Sequence, residues 1–418
     1  MPNFLISSSS WLAIVLAFVI AFPVALNNLL LALFLLVALP LYGGKVWETI
    51  RNNAVVRSAI MLFALLLLGV AYGATPFGDA VGMLGKYADL AVIPLFALAL
   101  REEKNRRRSL LAFLASMVLI AVVSWLIGLH AIPYNEWVIK NLVSSTSTPE
   151  NPSVFHSHIT QGMLMAYAAY LFALYLRDAT DLRRRILFSG LILLTAGNVL
   201  LMIKGRTGYV VLLALLAWMG WIWLKARLGR QGKALTWRHG VIAILLPAIL
   251  SVAAYFLVPR VHERVQESVA EYQMWKPHAH KEPNSIGDRL EFYYNSFAIV
   301  MLHPFAGVGT GGFEAAYEQQ VRGTGIAVTN NPHNEYLLIT IQVGAFGFVL
   351  LLYLFYCQWR NAASLPTPFE QDAARGLVIT IALSCLFNSN LRDHVPGMFF
   401  AFMSALLFAN LGSGVRHG

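Results

Sequence analysis

The stretch ILFSGLILLTAGNVLLMIKGRTGYVVLLALLAWMGWIWL at residues 186–224 contains two apolar runs, 186–203 and 207–224, separated only by Lys204, Gly205 and Arg206. Lipid offers the backbone no hydrogen-bond partner, so a run of this length and apolarity must be helical. A three-residue connection leaves the two helices antiparallel neighbours. Two cations on so short a turn mark one membrane surface.

The same pattern extends in both directions. Further apolar runs occupy 10–26, 28–43, 58–73, 85–100, 109–128, 158–177, 241–258, 334–358, 375–390 and 396–412. The expectation is an all-α integral membrane protein of about twelve transmembrane helices, a single polytopic domain over 1–418. Composition agrees: 58% of the 418 residues are hydrophobic and 12% charged, half the share of a soluble domain, at a mean hydropathy of +0.62. The two runs in the first fifty residues show no basic leader followed by a small-residue cleavage site, and read as retained helices.

The net charge of +10 suggests nucleic acid until the charges are placed. With the N-terminus inside, the cytoplasmic loops carry 20 Lys and Arg against 5 in the short outer loops. That bias puts both termini in the cytoplasm and leaves 129–157 and 259–333 outside, as long polar loops of the kind that carry function. Basic clusters such as REEKNRRR at 101–108 read as topology anchors. No Walker A motif and no basic patch interleaved with aromatics is present, which excludes an ATP-driven pump and a nucleic-acid binder. Both cysteines, Cys357 and Cys385, fall in apolar runs, so no disulfide framework or thiolate metal site is expected.

Several polar residues then need a reason. Lys204 and Arg206 sit on the outer surface against the charge bias; they either snorkel to headgroups or meet a phosphate, which the planar fork of arginine suits. In SIGDRLEFYYNSFAIVMLHP, Ser285 can cap a helix whose Leu290, Tyr293, Tyr294, Phe297, Val300 and Met301 recur at helical spacing, an amphipathic helix at the bilayer surface. Arg289 in its first turn opposes the helix dipole, so it either holds an anion or pairs with an acid such as Glu291. HPFAGVGTGGF at 303–313 resembles a dinucleotide fingerprint only superficially; no strand precedes it, and a tight turn allowing close backbone approach is the plain reading.

Asn331 and Pro332 suit the cap and first position of the tenth span, which puts His333 in its first turn, where a neutral imidazole is favoured. His333 is then either a hydrogen-bonded cap or a proton acceptor, with Asn334 and Glu335 beside it. Lys86 opens the fourth span on the same outer side, and His158 stands where the 129–157 loop re-enters the membrane. His-x-His at 156–158 and 278–280 lacks clustered carboxylates, so no metal is expected. Arg392 and Asp393 most simply pair with each other.

KGRTGY at 204–209, GDRLEFYYNS at 287–296, HPFAGVGTGGF at 303–313 and NPHNEYLLITIQVGAFG at 331–347, in that order, resemble the O-antigen ligase and polymerase superfamily of bacterial membrane glycosyltransferases. The resemblance implies transfer of a glycan from undecaprenyl pyrophosphate, at the periplasmic face of a Gram-negative inner membrane. The acceptor is lipid A–core in a ligase and another lipid-linked repeat in a polymerase. The family's functional arginines and histidine fall on Arg206, Arg289 and His333, and Lys86, Lys204, Asn334, Glu335 and His158 are candidates for substrate binding. The reaction implied needs no cofactor and inverts the anomeric carbon. The start of the tenth span and Gly344 and Gly347 resemble the ligase branch more. A lipid flippase or other carrier is the rival class, but carriers show internal repeats and deep ionisable residues that are not evident here.

Overall fold

The computed structural model describes residues 2–230, 245, 248–249, 252–275 and 285–412. Its regular elements are helices, and among the described residues the only bridges are two isolated ones, Val143–Val154 and Thr148–Asn151. Among the described residues eight helices are long and apolar enough to cross a membrane: Val24–Asn52, Ala54–Tyr72, Phe77–Ala99, Glu103–Gly128, His158–Asp178, Leu182–Met202, Arg206–Leu228 and Glu335–Ala362. The chain is a multi-pass, all-helical membrane protein.

The boundaries sharpen the expected spans. The run expected at 85–100 begins earlier and consists of two helices, Phe77–Gly85 and Asp89–Ala99, joined by a turn at 86–88. The runs at 10–26 and 396–412 correspond to shorter apolar helices, Leu5–Val19 and His394–Phe408. The run at 375–390 falls on Pro368–Ser384, of 17 residues, started by a capping box between Thr367 and Glu370. It ends before 390 because the chain turns at 385–393 to build the site described below. The run at 241–258 lies partly outside the described residues, and Ser285, expected to cap the amphipathic helix, is instead the first residue of that helix, Ser285–Leu302.

The chain divides into two compact units: Met1–Ile20, Val24–Phe113 and Ser268–Gly418 form the first, and Ala21–Pro23 and Leu114–Glu267 the second. In the first, the helices Asp89–Ala99 and His394–Phe408 are buried along nearly their whole length. Phe96 links them, with its ring 4.7 Å from Phe34 and 5.1 Å from Phe402.

The helix Glu335–Ala362 packs along Ala54–Tyr72 and is broken at Val343 and Gly344. Gly344 has φ +67°, and a Cβ there would collide with the Phe305 carbonyl, so only glycine fits the break. The break frees the carbonyls of Ile341 and Gln342. Val308 N–H (2.8 Å) and Gly309 N–H (2.9 Å) donate to them, and Ala345 N–H donates to Pro304 O at 2.8 Å. The glycine turn expected at 303–313 is therefore the plug that satisfies an interrupted membrane helix. Beneath it Ile299, Phe313, Tyr317, Val321, Leu338 and Ile341 form one apolar cluster.

In the second unit the helix Leu182–Gly197 ends in a π turn, Asn198–Met202, and the chain restarts as a helix at Arg206. That last helix lies against His158–Asp178 through Gly208 and Gly162; a Cβ on Gly208 would come within 2.9 Å of Gly162 Cα. Gln161 joins the unit's parts, accepting Val154 N–H at 2.7 Å and donating to Asn198 Oδ1 at 2.9 Å.

Candidate active site

His333 belongs to the first unit and lies two residues before the helix Glu335–Ala362. One expectation is corrected here. The N-cap is Asn334, whose side chain accepts Leu337 N–H at 3.1 Å, and the helix begins at Glu335. His333 therefore precedes the first turn, and its backbone is left-handed at φ +53°. Asn331 does not cap the helix; its Oδ1 accepts His333 N–H (2.9 Å) and Ser389 Oγ–H (2.7 Å), which holds the reversal. Two asparagines three residues apart could each cap, and the tertiary contacts of 385–393 select the second.

The imidazole is half-buried and stacks on Phe292 with centroids 6.0 Å apart. Its Nδ1 lies 3.2 Å from Asn388 Oδ1. Asn388 is buried, and its Nδ2 donates to Asp393 Oδ2 at 3.0 Å. An amide whose NH2 faces a carboxylate presents its oxygen on the other side, so Nδ1 of His333 carries the hydrogen and Nε2 keeps its lone pair. Burial pushes the imidazole below the ordinary histidine range; the Asn388 bond and Asp393 oppose this, and the charges of Arg289 and Arg392 reinforce it. The helix dipole expected to favour a neutral ring does not act from the first turn, since His333 precedes the helix; desolvation and the neighbouring arginines push in that direction instead. Burial pushes the Asp393 carboxyl up, against Arg392, the Asn388 bond and the charges of His333 and Lys86.

Arg289, on the helix Ser285–Leu302, lies close enough for its charge to act on both His333 and Tyr293. Tyr293 ties this helix to the site by donating to His333 O (3.1 Å) and Leu386 O (2.8 Å). On the same helix Tyr294, Phe297 and Met301 are exposed, the apolar face expected of an amphipathic helix. The Glu291 carboxylate is buried and accepts from Trp275 Nε1 (3.2 Å) and Asn295 Nδ2 (2.9 Å).

Glu335, expected to touch substrate, is fully buried. Its Oε1 accepts from Tyr87 at 2.9 Å and its Oε2 accepts Leu391 N–H at 2.8 Å, so it clamps three segments together. Asn334 spends its amide on the cap and on Leu386 O at 3.2 Å. Lys86 is exposed in the turn between two helices, next to Tyr87. Arg392 does not bond Asp393 as expected; it donates to Asn330 O at 2.7 Å and Oδ1 at 3.3 Å, leaving Asp393 to Asn388.

Lys204, Arg206 and His158 belong to the second unit. Lys204 N–H donates to Asn151 Oδ1 at 2.8 Å, and Asn151 Nδ2 lies 3.4 Å from His158 Nδ1. His156 is spent elsewhere, with Nε2 2.9 Å from Phe22 O. The second His-x-His, at 278–280, lies outside the described residues. Among the described residues no three His, Cys, Asp or Glu side chains gather as metal ligands would.

Sequence reasoning missed Asn388 and the bond that Asp393 makes with it. Asn388 and Asp393 stood in what read as a span end and a self-paired loop, and nothing local marks them. Comparison with curated proteins gives no significant match. Residues 190–352 match the family model described as O-antigen ligase, so the recognition made from the motif order is supported over the stretch carrying Arg206, Arg289 and His333.

Proposed function

We propose that the protein is an O-antigen ligase, moving a glycan from undecaprenyl pyrophosphate to lipid A–core at the periplasmic face of the inner membrane. Both termini are assigned to the cytoplasm by the charge bias. The observation that carries the reading is His333, its Nδ1 3.2 Å from Asn388 Oδ1 and its imidazole within range of the Arg289 charge. In one displacement the acceptor hydroxyl oxygen attacks the anomeric carbon, and the bond from that carbon to the pyrophosphate oxygen breaks. The hydroxyl proton passes to His333 Nε2, and the departing pyrophosphate keeps the electron pair. Attack opposite the leaving group inverts the anomeric carbon.

A pyrophosphate is already a good leaving group and needs charge neutralisation more than protonation. Arg289 supplies that, a term whose loss typically costs on the order of 100-fold or more in rate. The resemblance gives Arg206 a second phosphate contact, to be tested by its own substitution. Proton removal by His333 contributes roughly 10²–10⁴-fold. The apolar face of Ser285–Leu302 suits a helix set in the bilayer surface, where both lipid-anchored substrates arrive.

The test is lipopolysaccharide from cells that make O-antigen and carry Arg289→Ala or His333→Ala, with membrane insertion checked. Uncapped lipid A–core is expected. Normal capped ladders in both variants would overturn the ligase reading. Single repeats still transferred, with chain length lost, would identify a polymerase. Purified protein joining lipid-linked glycan to acceptor without an energy source excludes a carrier.

A further inference from the structure

The break between the π turn and Arg206 is held in an unusual way. Regular helix ends at Met202 and restarts at Arg206, so the backbone groups between them need partners from elsewhere. Met202 O accepts Arg260 Nη1 at 2.9 Å. Lys204 O accepts Arg264 Nε at 3.3 Å and Nη2 at 3.2 Å. Arg260 Nη1 also reaches Glu150 O at 2.8 Å, drawing in the 129–157 loop beside Asn151, which holds Lys204 N–H. Arg260 and Arg264 stand one turn apart on the helix Pro259–Met274, and Arg264 is itself paired with Glu267.

Carbonyls can be satisfied by neutral donors. Here two guanidinium groups do it at the hinge that leads from Met202 into Arg206, with Arg264 also paired with Glu267 and Lys204 close enough for its charge to act on Glu150. The arrangement is rigid as well as cationic, because Arg264 grips one carbonyl with two nitrogens.

We propose that Arg260 and Arg264 are positioning residues for the donor pyrophosphate: they fix the hinge that carries Lys204 and Arg206. This rests on the donor reading above. Neither arginine needs to touch the reacting atoms.

The experiment uses the full-length protein in lipid vesicles, with Arg264→Ala, Arg264→Lys and Asn151→Ala. Three quantities are measured: KM for the lipid-linked donor, KM for the acceptor, and affinity for a short-chain polyprenyl pyrophosphate. Slackening the hinge should raise the donor KM of Arg264→Ala about tenfold or more, since misplacement by an ångström costs on the order of 100-fold. The acceptor KM should stay within about twofold, a split that general destabilisation does not produce. Arg264→Lys should recover only part, because one ammonium cannot reproduce the two-nitrogen grip. If Arg264→Ala fails to accumulate, Arg264→Lys and Asn151→Ala decide the matter. Unchanged donor KM and unchanged polyprenyl pyrophosphate affinity in the variants that fold overturn the inference and leave the donor reading standing. Wild-type protein that does not bind polyprenyl pyrophosphate overturns the donor reading itself.

Discussion

Replacing Asn388 by leucine isolates what the Asp393–Asn388–His333 chain contributes. The side chains are similar in volume, so packing changes little, but the acceptor 3.2 Å from His333 Nδ1 disappears and Asp393 loses its donor at 3.0 Å. Two effects follow for the imidazole. First, a buried N–H without an acceptor costs about 1–3 kcal/mol, and the ring can escape by moving the hydrogen to Nε2, which consumes the lone pair needed as base. Second, the ring loses the bond that sets its orientation. Population of the wrong tautomer and loss of aim together should lower kcat by about 10- to 100-fold, roughly 1.4 to 2.7 kcal/mol of barrier. The pH dependence supplies an independent sign. The Asn388 bond stabilises the imidazolium and opposes the downward push of burial, so removing it lowers the pKa of His333 further. Activity that needs the neutral ring is lost as pH falls through that pKa, so the acid limb should move to lower pH. The assay is glycan transfer by the reconstituted protein across pH 4 to 9, with thermal melting run in parallel. A variant with wild-type kcat and an unmoved acid limb would refute the role given to Asn388.

Three other changes test separate parts of the structure. Arg289→Ala should cost on the order of 100-fold in transfer and also move the acid limb to higher pH, opposite to Asn388→Leu, because the Arg289 charge holds the His333 pKa down; a limb that stays put would show the two groups are not coupled. Tyr87→Phe strips a donor from the buried Glu335 carboxyl and should destabilise by about 1–3 kcal/mol, read as a lower melting temperature in detergent, whereas an unchanged melt would show that Glu335 does not clamp the fold. Gly344→Ala forces a Cβ onto the Phe305 carbonyl at φ +67° and should cost at least about 1–3 kcal/mol by the same melt; a neutral effect would mean the break can heal into continuous helix.

What could be read in advance follows the range of the interactions. Membrane helices are specified within their own residues, by apolar runs, so the hairpin at 186–224 appears as Leu182–Met202 and Arg206–Leu228. The polar loops show only their composition. Arg289 was conspicuous because a cation in a first turn is locally unfavourable, and His333 because it is polar at a membrane boundary. The identity of the cap was not legible, since Asn331 and Asn334 are equally good caps and the choice depends on Ser389 and Leu386, more than fifty residues away. Glu335 read as a ligand for the same reason: its partners, Tyr87 and Leu391, are remote in sequence.

The helix break ties the Arg289 helix to the segment that carries His333. Inside a bilayer an interrupted helix is tolerated only where protein satisfies the freed backbone. Here the plug is the segment that follows directly from the helix bearing Arg289, through His303 and Pro304. The carbonyls of Ile341 and Gln342, two turns below His333, can be satisfied only if Val308 and Gly309 are in place. That in turn fixes where Ser285–Leu302 ends, and Tyr293 on that helix grips the His333 carbonyl. The Arg289 helix is therefore attached at both ends of the segment 333–342, once by Tyr293 and once by the plug. The Arg289 helix and His333 are thus tied to each other through the hydrogen bonds that both make with the segment 333–342. A substitution at Gly344 should on this account disturb transfer as well as stability, with the donor KM and kcat both changing, although the residue lies more than two turns from His333. Loss of stability with kinetics intact in the surviving folded protein would show that the plug holds the span but not the site.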